Sequence, residues 1–158
     1  MEKFAIKLLS EEVAVMREEL KVVQLVRKHI DPKVFWRVLS LREQKRVLQG
    51  LFRDICQLYG VKGVELVIDP DPLKYGLTGG GCYSPMERRV YLYKISLMTF
   101  LHEVAHMLLG PSERKARLWS HKVFYLAFPK LYMKNVQEGK FFHSFPIEEI
   151  MQFNEGLR

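Results

Sequence analysis

The stretch that decides the fold is Ser96-Leu97-Met98-Thr99-Phe100-Leu101-His102-Glu103-Val104-Ala105-His106-Met107-Leu108-Leu109. Its apolar residues recur at helical spacing and predict a buried stripe, made of Leu97, Phe100, Leu101, Val104, Ala105 and Leu108. His102 and His106 lie off this stripe, on one helical face. Two histidines four residues apart can reach one tetrahedral metal while Glu103 lies alongside it. The stretch therefore predicts an amphipathic helix that carries a hydrolytic zinc site.

The composition is that of a soluble globular protein of one domain. The chain has 158 residues, of which 48% are hydrophobic and 27% charged, and both fractions are ordinary. No apolar stretch approaches the roughly 20 residues that a membrane-spanning helix needs. The first residues have too short an apolar core, and too early an acidic pair, for a secretory signal. We therefore expect a cytoplasmic protein that does not associate with membranes.

The chain is basic, with a net charge of +7 and a pI near 9.4. Such a charge can attract nucleic acid or acidic protein surfaces over long distances. The lysines and arginines are scattered, which is more typical of solvated helix surfaces. Charge alone does not establish a nucleic-acid partner.

Two cysteines are too few for a disulfide framework, and they form no Cys-x-x-Cys pair for a structural zinc. Cys56 falls in an apolar helical pattern and is expected in the core. Cys82 follows three glycines upstream of the motif, and a masking thiolate on the metal is a secondary interpretation of this residue.

Helical patterns fill the first sixty residues. The first helix opens at Ser10 and ends before Asp31-Pro32, with apolar positions at Val13, Met16, Leu20 and Val23. Pro32 starts a short second helix, which carries Val34, Phe35, Val38 and Leu39. The third helix runs from Ser40 or Leu41 to Tyr59 and stops at Gly60, with its inward face at Leu41, Val47, Leu48, Leu51, Phe52, Ile55 and Leu58.

The period then changes to that of strands. Val64 to Ile68, Cys82 to Ser84, and Arg89 to Tyr93 predict three short strands, with a loop from Leu73 to Gly81. The last strand leads directly into the motif helix.

Helices return after the motif. Gly110 ends the motif helix, and Ser112 caps a helix from Glu113 to about Phe128. We expect Leu131 to Phe145 to be irregular and Pro146 to Phe153 to form a last helix.

The elements predict an α+β fold, in which a small three-stranded sheet packs on the motif helix and on a second helix. A helical N-terminal region precedes this sheet in the chain. We expect a single domain over residues 1–158. It comprises the N-terminal helices (1–60), a core with the metal site (61–130) and a C-terminal tail (131–158) that can cover the cleft.

A catalytic zinc takes three protein ligands, so the motif needs a partner from elsewhere. Glu113 and His121 are alternatives, because eight residues at about 1.5 Å per residue place them roughly 12 Å apart on one helix. Glu113 can approach from the loop side in a tight helical hairpin. His121 and a residue of the tail such as His143 remain alternatives for the third ligand.

The region from Val64 to Phe128 resembles the zincin metallopeptidases, most closely the gluzincins and in particular the small minigluzincins. The resemblance rests on a strand leading into the motif, a short loop, and a helix that begins Glu113-Arg114-Lys115-Ala116. It implies Zn²⁺ held by His102, His106 and Glu113, the last within a Glu-x-x-Ala pattern. Arg117 departs from the family, since an aspartate often stands there, and the six-residue connection from His106 to Glu113 is shorter than usual.

A second resemblance is to SprT-like metalloproteins, which use a third histidine and often act on DNA-bound proteins. His121 followed by Phe124 matches that pattern in part.

The expected function is that of a zinc metallopeptidase acting on a peptide or protein substrate. Glu103 accepts the proton of a zinc-bound water and passes it to the leaving amine. Candidates for the oxyanion donor are Tyr83, Tyr91, Tyr125 and His121, and the strand around Tyr91 is expected to hold substrate by strand addition. The alternatives are a SprT-like zinc protein that acts on or binds DNA-associated proteins, and a latent zincin scaffold whose cleft is filled by Phe141 to Pro146.

Overall fold

A computed structural model describes residues 17–71, 73–74 and 79–141 of the chain. Several predictions fall outside these residues. They concern the start of the first helix at Ser10 with Val13 and Met16, the ligand candidate His143, and the last helix from Pro146 to Phe153.

The N-terminal region is helical, as predicted. The described part of helix α1 covers 17–29, α2 is Pro32–Phe35 and α3 is Leu41–Tyr59. The side chain of Ser40 caps the start of α3, and Gly60 ends it in the left-handed region with a φ of +67°. Gly60 ends the helix as predicted, since glycine tolerates positive φ, and Ser40 acts as a cap because its side-chain oxygen accepts an unpaired N–H.

Four apolar residues of the predicted helical patterns are exposed. Leu20 is 36% exposed, Val34 38%, Leu41 47% and Val38 70%. The buried face of α1 runs through Glu19, Val22, Val23 and Val26 instead. Leu41 is the first residue of α3, and Val38 lies beyond the single turn of α2, so neither position is turned toward the core.

A mixed three-stranded sheet follows, with β1 at Glu65–Ile68, β2 at Gly81–Ser84 and β3 at Arg89–Leu92. The strand order is β1-β3-β2; β1 is parallel to β3, and β2 is antiparallel to it. The central strand is therefore β3, in which Tyr91 pairs with Val67 on one side and Cys82 on the other. The prediction that the strand around Tyr91 adds a substrate strand is wrong, because both of its edges are occupied.

Three helices complete the described chain: α4 at Leu97–Leu109, α5 at Glu113–Ala127 and α6 at Pro129–Gln137. Helix α4 contacts β2, β3 and α5, so the α+β arrangement of sheet and two helices is confirmed. Its predicted stripe is buried, apart from Leu108, which is partly buried.

The prediction of irregular structure from Leu131 is wrong as far as Gln137, which is the end of α6. Pro129 ends α5 as expected, but it also occupies the first turn of α6, where its missing N–H and fixed φ cost nothing. Tyr132 is 1% exposed and anchors this helix against α5.

Polar contacts join the N-terminal helices to the rest. The Nζ of Lys122 lies 3.2 and 3.1 Å from the two carboxylate oxygens of Glu19, and Arg27 Nε donates to the carbonyl of Ala127 at 3.0 Å. Both contacts tie α1 to α5. In the described part of the chain, no helix has the length and apolarity that a membrane crossing requires.

Candidate metal centre

Three side chains converge at one end of the helical hairpin formed by α4 and α5. His102 and His106 come from one face of α4, and Glu113 is the first residue of α5. Their ligand atoms all lie within 4.8 Å of one another, and this group could hold a metal ion. The structure thus brings together the pair that the motif specifies and one of the two predicted third ligands.

The distances between the donor atoms fit a tetrahedral metal. His102 Nε2 lies 3.2 Å from His106 Nε2 and 3.1 Å from Glu113 Oε2, and His106 Nε2 lies 3.0 Å from Glu113 Oε1. Bonds of about 2.0–2.1 Å to a tetrahedral zinc place neighbouring ligand atoms roughly 3.3 Å apart. The three donors are therefore close to the spacing that such an ion requires.

The hydrogen bond of His106 to the backbone also favours a cation at this point. Its Nδ1 lies 2.9 Å from the carbonyl oxygen of Gly110, and since a carbonyl only accepts, Nδ1 carries the proton. In the neutral ring Nε2 then presents a lone pair to the carboxylate of Glu113. Two acceptors at this distance repel each other unless a proton or a metal ion lies between them.

Gly110 holds its carbonyl in place with an unusual backbone. Its φ is +97° and its ψ is −163°, a region that glycine alone populates readily. The sequence pattern predicts Gly110 only as a helix stop, and it does not predict the contact of Gly110 with His106. A glycine four residues after the second histidine was the available signal.

Glu103 is buried beside the two histidines, with 8% of its surface exposed. Burial raises its pKa to about 7, and the charge of Glu113 acts in the same direction. The charge of His106 and a hydrogen bond donated by the backbone N–H of Tyr83 act in the opposite direction. The site therefore contains a carboxyl group that can exchange a proton near neutral pH.

Glu113 has the opposite character. Burial raises its pKa, but His102, His106 and Arg117 attract its negative charge, and the net result is a lowered pKa. Ser112 caps α5 by accepting a hydrogen bond from the N–H of Lys115, which fixes the first turn that presents Glu113. Glu113 is thus held as a carboxylate, the form that binds metal.

Strand β2 passes close to the side chain of Glu103. A Cβ added to Gly81 would lie 3.3 Å from Glu103 Cγ and would clash with the carbonyl oxygen of Tyr91. Gly80 accepts a hydrogen bond from Tyr93 N–H at 2.8 Å, so by the two-residue alternation of antiparallel strands the N–H and C=O groups of Gly81 and Tyr83 face away from β3. Among the described strands β2 pairs only with β3, and this outer edge borders the site.

A cavity of about 1750 Å³ opens around these residues. Helix α5 contributes Glu113, Arg117, His121 and Phe124, which share one face, and α2 contributes Pro32 and Lys33. The contributions of α2 and α6 to this cavity were not predicted, because nothing in the sequence relates these segments to the motif.

His121 lines the cavity without joining the metal group. It is 4% exposed, and its Nδ1 lies 2.6 Å from the hydroxyl oxygen of Tyr132. Within residues 17–71, 73–74 and 79–141, the group of donors close enough for a shared ion comprises His102, His106 and Glu113. The positions of these donor atoms therefore favour Glu113 over His121 as the third ligand of a metal ion.

The remaining candidates are placed as follows. The Sγ of Cys82 lies 3.9 Å from the hydroxyl oxygen of Tyr93, and Cys82 does not belong to the metal group found among the described residues. Tyr83 lines the cavity, whereas the hydroxyl of Tyr91 donates to Glu87 at 2.7 Å.

The first residue of the aromatic tail segment also reaches the cavity. Phe141 lines it and packs on the rings of His121, Phe124 and Tyr132 at 5.4, 5.6 and 5.1 Å between centroids. The rest of that predicted segment, 142–146, lies outside the described residues. Comparisons with protein-family models, with curated proteins and with solved structures found no significant match.

Proposed function

We propose that the protein is a zinc-dependent metallopeptidase. The observation that carries the proposal is the convergence of His102, His106 and Glu113, with donor atoms 3.0–3.2 Å apart, beside the buried carboxyl group of Glu103. Two imidazoles and one carboxylate are the donor set of many catalytic zinc sites, and they leave a fourth position open.

Each residue has a role in this proposal. His102, His106 and Glu113 would hold the metal, and Gly110 fixes the ring of His106 through its Nδ1. Zinc bound there would supply a Lewis acid that makes water more acidic and polarises a peptide carbonyl. Glu103 accepts a proton from the attacking water and delivers it to the leaving nitrogen.

The outer edge of β2 supports an extended peptide as the substrate. The outward groups of Gly81 can pair with a peptide backbone, as in strand addition at an exposed sheet edge. This edge replaces the strand around Tyr91 as the site of substrate pairing. Since Gly81 carries no side chain, a substrate strand can approach close to Glu103.

His121 fits the role of an oxyanion donor better than that of a ligand. The hydroxyl of Tyr132 fixes its ring, and the residue lines the cavity two helical turns from Glu113. A SprT-like role on DNA-associated proteins would use His121 as the third ligand, and the donor group found among the described residues contains Glu113 instead of His121, which favours the gluzincin arrangement.

The test is the zinc content and peptide hydrolysis of four single variants. We expect His106→Ala and Glu113→Ala to lose zinc. Glu103→Gln should keep zinc and lose roughly 10²–10⁴-fold in kcat, and His121→Ala should keep zinc and lose about 10²–10³-fold. Metal is measured by elemental analysis and hydrolysis on a mixed peptide library by mass spectrometry.

The controls separate the possible failures. Asp54→Ala removes a carboxylate that pairs with His29 on the N-terminal helices and should change neither zinc content nor hydrolysis. Zinc retained by Glu113→Ala and lost by His121→Ala would overturn the ligand assignment. A zinc-loaded wild-type protein that cleaves no peptide in the library would overturn the peptidase proposal.

A further inference from the structure

The side chain of Arg117 poses a problem that the proposed mechanism does not solve. Its Nε is buried and has no hydrogen-bond partner in the part of the chain that the structure describes. Buried guanidinium nitrogens are almost always paired, because a donor removed from water without a partner is costly. Arg117 as a whole is only partly buried and lines the cavity, so its guanidinium can meet an acceptor on a molecule bound there.

The neighbouring carboxylate does not supply this acceptor. Arg117 lies one turn after Glu113 and attracts its charge, but the two oxygens of Glu113 are directed at His102 and His106 at 3.1 and 3.0 Å. Glu113 is therefore engaged by the metal ligands, and the guanidinium of Arg117 stays available to the cavity.

The charge of the cavity wall agrees with an anionic occupant. The acidic residues that line it are Glu103 and Glu113, and both belong to the metal site. The basic residues that line it are more numerous and come from four segments of the chain: Lys33, Arg37, Lys94, Arg117, Lys134 and Lys140. Lys134 and Lys140 are paired with Glu138, whereas Arg117 has its Nε unpaired and lies nearest the metal site along α5.

We propose that Arg117 binds a carboxylate of the substrate close to the bond that is cleaved. The inference rests on the proposed peptidase function and adds a substrate class to it, peptides with an acidic group near the cut. Four helical residues span about 6 Å, and an extended peptide advances about 3.3 Å per residue. The carboxylate therefore lies within about two residues of the scissile bond, as an acidic side chain or as the C-terminus of a short peptide.

The test compares matched peptide pools on the zinc-loaded protein. The first pool contains alanine-rich octapeptides with blocked ends and one glutamate at each position in turn, and the second has glutamine in its place. A third pool repeats the second with a free C-terminal carboxylate. Cleavage by the wild type is measured as kcat/KM for each pool, and binding to Glu103→Gln is measured by calorimetry.

Three variants isolate Arg117. Arg117→Gln removes the charge and the guanidinium, and Arg117→Lys keeps the charge. Arg114→Gln removes the same charge from an exposed position of α5 that does not line the cavity. Zinc content and thermal unfolding of all three show whether the fold and metal site are retained, and Arg117→Lys serves in place of Arg117→Gln if the latter does not fold.

We expect the wild type to prefer the glutamate pool or the free-acid pool over the blocked glutamine pool. The preference should be roughly tenfold to a hundredfold, the value for a charge-assisted hydrogen bond. Arg117→Gln should abolish this preference while Arg114→Gln keeps it, and Arg117→Lys should retain part of it. Preference for the first pool identifies an acidic side chain, and preference for the third identifies a C-terminus.

Two outcomes overturn different statements. Equal cleavage of all pools by the wild type, or a preference that Arg117→Gln leaves intact, would refute the role of Arg117 while the peptidase function stands. Cleavage of no pool would refute the peptidase function, and the binding measurement on Glu103→Gln would still show whether Arg117 selects a carboxylate.

Discussion

Gly110 shows how much a residue outside the motif contributes to the metal centre. Its carbonyl receives the Nδ1–H of His106 at 2.9 Å and so directs the lone pair of Nε2 toward His102 and Glu113. Partners of ligand histidines of this kind set the tautomer and the orientation of the ring. The backbone of Gly110, with a φ of +97°, is what aims the carbonyl.

We therefore expect Gly110→Ala to weaken zinc binding. A side chain at this φ forces the backbone to change, which should turn the carbonyl away and lower zinc affinity about 10–100-fold. Gly139→Ala is the matched control, because Gly139 also has a positive φ of +66° with no atom within 4 Å of an added Cβ. It should lose stability by about 1–2 kcal/mol and keep its zinc affinity, as measured by competition with a chelator. Equal zinc affinity in both variants would contradict the role of Gly110.

At the level of elements, the sequence predicts those features that interactions between residues close in the chain determine. The stripe of α4 and the capping residue Ser112 follow from side-chain period and hydrogen-bonding capacity, so these helices could be predicted. Helix α6 was missed, because Pro129 is read equally well as a stop and as a first-turn residue. The central position of β3 was missed too, since strand order depends on long-range pairing that a single strand does not encode.

Ser112 is the cap on which the position of Glu113 depends. We expect Ser112→Ala to lower the free energy of unfolding by about 1 kcal/mol and to weaken zinc binding, because the loosened first turn carries the third ligand. Ser40→Ala provides the comparison, since Ser40 caps α3 in the same way and accepts from the N–H of Glu43. It should cost a similar amount in urea unfolding without affecting zinc. A zinc affinity unchanged in Ser112→Ala would show that other contacts hold Glu113.

At the level of the whole molecule, a buried ion pair joins the N-terminal helices to the metal-site hairpin. The side chains of Glu19 and Lys122 are 7% and 12% exposed, and they lie on α1 and α5. Removing one member of such a pair typically costs about 3–5 kcal/mol, whereas replacing both with apolar residues costs little.

We expect Glu19→Leu to be strongly destabilised, because it leaves the ammonium of Lys122 buried opposite an apolar side chain. The double variant Glu19→Leu/Lys122→Met should recover most of the lost stability in urea unfolding. Equal stability of Glu19→Leu and the double variant would mean that the ion pair is hydrated and contributes little to folding.

The pH dependence of stability gives a second measurement on the same pair. Burial raises the pKa of Glu19 above its ordinary value of 4.5, and Lys122 acts in the opposite direction without cancelling the rise. The folded chain therefore holds this proton more tightly than the unfolded chain. The protonated carboxyl group of Glu19 therefore makes its full contribution to stability below pH 4.5, and this contribution is lost as the pH rises through the raised pKa.

Glu19→Gln cannot ionise at this position. We expect the stability of the wild type relative to Glu19→Gln to fall as the pH rises over that window. Urea unfolding of both proteins at a series of pH values tests this expectation, and parallel stability curves would contradict it.

The attachment of α1 along α5 also has a thermodynamic consequence. Glu113 begins α5 at the candidate metal site, while Lys122 and the carbonyl of Ala127 hold α1 further along the same helix. An ion that binds only the folded hairpin stabilises everything that unfolds together with it. Zinc should therefore slow amide hydrogen exchange in α1, whose described residues 17–29 do not belong to the candidate donor group, so that occupancy of the site can be measured in the N-terminal region of the chain.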